Sequence, residues 1–259
     1  MAVEQVAVSI RSGKFRTLMQ RKGHGDPLLF LHGAGGPMIG APFLDDLAEH
    51  FTVYAPAHPG FGAGQGIEHL DHVLDLAHYY LDFFDEVGIE RPHLVGHSFG
   101  GMLAAEIAAL APHLPNRLVL VCPAGLWLDA APMPDFFAFS PEQLVRSAVH
   151  DPRGPVGRLL LARSRDPNLA IESHRCLASA ERFLRPLPGQ GLKNRIHRVR
   201  APTLVVWGAS DGLIPPVYAE AFHAAIAGSQ VTILGGAGHL PMLEQRRAFV
   251  EAVTTFLTC

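Results

Sequence analysis

The stretch Leu94-Val-Gly-His-Ser-Phe-Gly-Gly-Met-Leu-Ala104 sets the tightest limit on how this chain folds. An apolar run ends abruptly, and a run with helical spacing starts within a few residues. A strand that passes into a helix across so little chain needs a sharp turn. Gly96 and Gly100 bracket Ser98 at the junction, where side chains would block the close approach of strand and helix. The same alternation recurs along the chain. Buried strands are expected at Leu28–Leu31, Thr52–Ala55, His93–Val95, Leu118–Val121, Thr203–Trp207 and Val231–Leu234. Helices are expected at Leu70–Gly88, closed by Gly88, and at Phe99–Leu110, Pro216–Ala227 and Met242–Leu257. Val3–Ile10 and Phe15–Gln20 read as two further strands around a turn at Ser12-Gly13. Strands alternating with helices build a parallel sheet covered on both faces.

The alternation lapses between residues 125 and 199, first in a stretch rich in Pro, Ala and aromatics, then in helical pattern. The expected organisation is a core made of residues 1–124 and 200–259, with a helical lid inserted at 125–199. Residues 125–200 hold 12 Lys and Arg against 7 Asp and Glu, while the remainder holds 9 against 17. A basic insertion therefore sits on an acidic body.

Composition narrows the function classes. Of 259 residues 48% are hydrophobic and 17% charged, which excludes a disordered chain. A net charge of −3 carries no nucleic-acid footprint. Cys122, Cys176 and Cys259 lie far apart, with neither metal-ligand spacing nor a disulfide framework, as fits a reducing compartment. No apolar run reads as a signal peptide or approaches the roughly 18 residues of a membrane span. The expectation is a cytoplasmic monomer or homodimer that acts on a small molecule, with no nucleic-acid partner.

A serine hydroxyl becomes a nucleophile only beside a base, and the base needs a carboxylate to orient it. "VVWGASDGLIP" places Asp211 just after a strand, and "ILGGAGHLPMLE" places His239 between the last strand and the last helix. All three side chains then fall at strand C-terminal ends, on one edge of the sheet. "FLHGAGG" adds a glycine-rich loop after an early strand. The amides of Ala34 and Phe99 are the candidate donors to an oxyanion, the second at a helix N-terminus.

With "HGAGG", "GHSFGG", "WGASDGLIP" and "GAGHLPMLE" in that order, the chain resembles the α/β-hydrolase superfamily over nearly its whole length. The resemblance implies a mostly parallel, doubly wound sheet of eight strands, with a helical cap after the sixth. It implies attack by Ser98, proton shuttling by His239 and orientation by Asp211, with no metal and no organic cofactor. Gly33, Gly35, Trp127, Phe136, Phe137, Leu213 and Leu240 are candidate substrate-lining residues. Asp129 competes with Asp211 as the acid. His97 competes with His239 as the base, and is expected to point away from the reacting face. His32 and His58 are expected to shape loops, and Cys122 to pack.

The leading expectation is hydrolysis of a carboxylic ester or related acyl bond in a small to medium apolar substrate. Carbon–carbon bond hydrolysis of ring-cleavage diketo acids is a second reading, which the basic insertion suits. Enzymes of that kind usually carry an asparagine near the oxyanion loop and a tryptophan after the histidine. Here the loop reads "HGAGGPMIGAPF", and Leu240 follows His239. A third reading is a hydrolase-fold small-molecule receptor.

Overall fold

The computed structural model describes residues 4–186 and 191–259. Its strands are β1 (Glu4–Ile10), β2 (Phe15–Lys22), β3 (Pro27–Leu31), β4 (Thr52–Pro56), β5 (His93–His97), β6 (Leu118–Val121), β7 (Thr203–Gly208) and β8 (Gln230–Leu234). They form one sheet in the order β1-β2-β4-β3-β5-β6-β7-β8. β2 runs antiparallel to β1 and β4, and every other pair is parallel. β5, β6 and β7 are buried at every residue, as a sheet covered on both faces requires. The strand order reverses beside β3: the chain steps from β3 to β4 on one side, then to β5 on the other. The loops leaving β3 and β5 therefore diverge and leave a crevice between them.

The helices are α1 (Pro42–Leu47), α2 (Val73–Val87), α3 (Phe99–Leu110), α4 (Pro141–Ala148), α5 (Pro155–Arg165), α6 (Pro167–Leu184), α7 (Val217–Ala225), α8 (Pro241–Glu244) and α9 (Arg246–Thr258). α1 packs with α9, and α2 with α3. α4, α5 and α6 fill the insertion that follows the sixth strand.

Three expectations need correction. α2 starts at Val73 rather than Leu70, because the Asp75 carboxylate accepts the amides of Asp71 and His72 at 3.0 and 2.9 Å and fixes the start there. The last helix divides at Gln245, whose side chain donates to the Gly236 carbonyl at 3.1 Å. α1 was not expected. Its six residues are too few for a helical period, but Phe43 wedges between Phe30 and Phe249, with ring centroids at 5.1 and 5.9 Å. Val3 of the first expected strand lies outside the described residues.

The insertion is fastened to the body by a buried charge. Glu106 on α3 is completely buried and receives both arms of the Arg195 guanidinium, at 2.8 and 2.6 Å. Arg198 adds a bond to the Ala109 carbonyl at 3.0 Å. Removing Arg195 leaves a buried carboxylate without its ion-pair partner. Arg195→Met is expected to lower the unfolding free energy by about 3 kcal/mol in urea titrations. An unchanged midpoint would show that Glu106 does not depend on this partner.

Candidate active site

Ser98 sits at the turn between β5 and α3 with φ 55° and ψ −115°, a conformation that costs a residue with a side chain about 1–3 kcal/mol. Surrounding backbone holds it there. Its amide donates to the Val121 carbonyl at 2.9 Å, and its carbonyl accepts the amides of Gly101, Met102 and Ala124 at 2.9 to 3.0 Å. The flanking glycines are matters of clearance. A Cβ on Gly96 would stand 2.3 Å from the Gly100 carbonyl oxygen, and one on Gly100 only 2.1 Å from that of Leu31. The helix thus lies directly on the end of β3.

The Ser98 hydroxyl lies 2.8 Å from His239 Nε2, and His239 Nδ1 lies 2.7 Å from Asp211 Oδ2. With Nδ1–H donating to the carboxylate, Nε2 is left to accept the serine proton. The other oxygen, Asp211 Oδ1, accepts the amides of Leu213 and Ile214, both at 2.9 Å. The loop that carries Asp211 is closed by Trp207, whose buried indole N–H donates to the Ile214 carbonyl at 3.0 Å. A Cβ on Gly208 would stand 1.9 Å from the Gly238 carbonyl oxygen, so the loops of Asp211 and His239 meet backbone to backbone. Glu244 holds the His239 loop by accepting the Gly238 amide at 2.7 Å.

The insertion takes part in this framework. The carbonyls of Ser147 and Ala148, at the end of α4, accept the amides of Gly212 and His239 at 2.9 and 2.7 Å. His150 then bonds both Glu244 and Ser210.

His97 does not turn away from the site. It is wedged against Gly33, and its Nε2 donates to the His239 carbonyl at 2.8 Å, which occupies the nitrogen a base would use. Burial and the neighbouring His239 push its pKa down to about 3. His32 and His58 form a reciprocal pair under the oxyanion loop. The His58 amide donates to His32 Nε2 at 3.1 Å, and His58 Nε2 donates to the His32 carbonyl at 3.0 Å. His32 Nδ1 is thereby left to donate to the Gly33 carbonyl, and His58 Nδ1 to accept the Tyr80 hydroxyl at 2.6 Å. Burial lowers the pKa of His58 to about 4 and that of His32 well below the ordinary range.

Ala34 and Phe99, the candidate anion donors, lie in the loop after β3 and at the start of α3. Phe99 opens α3, where a first-turn amide has no partner inside the helix, and Gly33–Gly36 is a tight turn over Ser98. A Cβ on Gly33 would lie 3.2 Å from the Ser98 Cβ, whereas Gly35 faces open space. Leu213 and Leu240 flank the Asp211 and His239 loops. Trp127 donates to Asp129 at 3.0 Å, which engages that carboxylate away from His239. Phe136 and Phe137 pack on each other, with Arg185 over Phe137 at 5.5 Å. These contacts lie at the end of α6. Arg182 reaches Asp71 of the body at 3.2 Å, while Arg175 and Arg185 pair within the insertion. Arg146, Arg153, Arg158, Arg163 and Arg165 make no ion pair among the described residues. The positioning roles of His97, Trp207 and Glu244 were missed. The motifs that hold them were legible, but no pattern says which carbonyl or amide a buried side chain will reach.

One cluster has metal-ligand composition: atoms of Cys122, Asp211 and His239 lie within 4.8 Å of one another. Asp211 and His239 spend those atoms on each other and on backbone amides.

A family model described as the alpha/beta hydrolase family matches residues 28–252. The dihydrolipoyllysine-residue acetyltransferase component of the acetoin cleaving system of Cupriavidus necator is 34% identical over 258 residues. The match covers 90% of this chain but only 64% of that protein. The 2-hydroxy-6-oxo-2,4-heptadienoate hydrolase of Pseudomonas putida is 28% identical, with 98% of this chain and 96% of that one covered. The crystal structure of a bacterial membrane phospholipase A superposes with a TM-score of 0.83 at 25% identity, over 99% of this chain and 86% of that one.

The buried neutral histidines make stability depend on acid. An unfolded chain protonates His32, His58 and His97 near the ordinary value of about 6.5, whereas the fold resists until far lower pH. Their contribution is complete above about pH 7 and is lost as pH falls through 6.5 toward 4, by about 1.4 kcal/mol per pH unit for each histidine. Urea unfolding between about pH 7 and 5 is expected to show this slope. A flat profile would mean that these rings charge in the folded state.

Proposed function

As the chain belongs to the alpha/beta hydrolase family, we propose that it is a serine hydrolase cleaving a carboxylic ester or related acyl bond of a small to medium apolar substrate. The observation that carries this reading is the unbroken hydrogen-bond chain from Ser98 through His239 to Asp211. Ser98 Oγ attacks the carbonyl carbon as its proton passes to His239 Nε2. The Asp211 carboxylate stabilises the imidazolium so formed. The amides of Ala34 and Phe99 receive the negative charge on the former carbonyl oxygen. His239 then gives its proton to the leaving alcohol, and an acyl-serine remains. Water, deprotonated by the same imidazole, releases the acid and restores Ser98. Residues 125–199 act as the lid, and Trp127, Phe136 and Phe137 line its approach.

A second reading, hydrolysis of a carbon–carbon bond in a ring-cleavage diketo acid, draws on one observation: the end-to-end similarity to the Pseudomonas putida hydrolase. Such substrates are anionic, and Arg146, Arg153, Arg158, Arg163 and Arg165, which make no ion pair among the described residues, lie in the insertion.

Three measurements separate these readings. Ser98→Ala is expected to lower kcat on p-nitrophenyl esters by about 10³-fold or more, with an unchanged thermal melt. Near wild-type turnover would end the serine-hydrolase reading. A parallel assay on a ring-cleavage diketo acid decides between the two substrate classes by kcat/KM. If the lid's charge gathers anionic substrates, kcat/KM for an anionic ester should fall with salt relative to a matched neutral ester. Unpaired charges act over a screening length of about 8 Å at physiological ionic strength. Arg158→Gln combined with Arg163→Gln should flatten that dependence. A ratio indifferent both to salt and to these substitutions would assign the charge to structure alone.

A further inference from the structure

Cys122 follows β6 directly and lies in the left-handed region, with φ 43°, although it is not a glycine. Its side chain is completely buried, and its sulfur, the Asp211 carboxylate and the His239 imidazole lie within 4.8 Å of one another. The sulfur lies beside the Gly208 backbone and the Asp211 side chain. A buried cysteine with apolar neighbours only packs. This one instead sits against the end of β7 and the carboxylate that orients the candidate base.

We propose that Cys122 is a positioning residue whose S–H donates to the Asp211 carboxylate, completing its set of donors and setting how strongly it holds the His239 imidazolium. The proposal rests on the serine-hydrolase reading of Ser98, His239 and Asp211. An ionised carboxylate offers roughly four acceptor positions. The amides of Leu213 and Ile214 and the His239 Nδ1–H take three of them. The thiol is placed to take the fourth. Burial, and then the adjacent Asp211 charge, hold the thiol well above the ordinary cysteine range, so it keeps its proton and acts as a donor. Each donor draws charge from the carboxylate. Without the thiol, Asp211 would carry more unshared negative charge and would stabilise the imidazolium more strongly, while being held less firmly. The other titratable groups packed around the pair are His97 on the His239 carbonyl, Glu244 on the Gly238 amide and His150 on Ser210. None of them is altered by a change at residue 122.

The test compares Cys122→Ala, which removes the donor, with Cys122→Ser, which keeps one. Activity on a p-nitrophenyl ester falls at acid pH as His239 gains a proton. In Cys122→Ala that acidic limb is expected to move up by about half a pH unit, with kcat reduced severalfold and KM unchanged. Cys122→Ser is expected to return the limb to the wild-type position or below it. The same titration is followed without substrate, through the low-field NMR resonance of the proton between His239 and Asp211. If the limb and the resonance titrate identically in wild type and Cys122→Ala, the proposal is overturned, even where the variant melts earlier, because lost packing alone would do that. If the resonance shifts as expected while Ser98→Ala retains full activity, the positioning role stands and the serine-hydrolase reading fails. If Ser98→Ala is inactive and the resonance is unmoved, the failure lies with Cys122 alone.

Discussion

The contact between Gly100 and the end of β3 governs the rest of the molecule. A helix can start at Ser98 only if its first turn lies on the carbonyls of Leu31 and His32, and there is no room for a single methyl group between them. That approach forces Ser98 into its strained backbone and lifts the hydroxyl out of the sheet. It also brings the β3 loop over the same point. Hydrogen bonds fix the remaining partners, but they act on a geometry that clearance has already set.

Around that contact the protein uses uncharged polar groups as struts. His32, His58, Tyr80 and His97 are buried, and each ring proton has an assigned acceptor. Charged groups there would place a field beside the position where an oxyanion is to form. Neutral imidazoles orient backbone carbonyls without adding one. The carboxylates buried among the described residues are Asp211, which the proposed chemistry uses, and Glu106, which holds Arg195.

Much of this was legible in the chain because it follows from residue type and order. The glycine bracket at Ser98 announced the turn, the β-branched and leucine runs announced the central strands, and the order of Ser98, Asp211 and His239 announced their convergence at strand ends. What escaped depends on distance across the fold. α1 is held by rings of β3 and α9 that are remote in sequence. The bond from His97 to the His239 carbonyl escaped because strand alternation says which face a side chain takes, but not what a neighbouring loop lays against it. Arg185 lies over Phe137 from far along the chain, a contact that no local pattern announces.

The bonds from the last turn of α4 bear on how such a protein can vary. The carbonyls of Ser147 and Ala148 hold the very loops that present Asp211 and His239. The insertion is thus no detachable ornament on a finished scaffold. Excising it whole would strip two carbonyl acceptors from the machinery beneath, and replacing it with a foreign cap would require the newcomer to supply the same pair. Diversification has freer scope in α5, where sequence can drift without touching those two bonds, whereas α6 is tied to the body through Ser179, Arg182 and Phe183. The boundary between what is inherited as a unit and what is open to experiment by evolution therefore runs through the insertion, not around it.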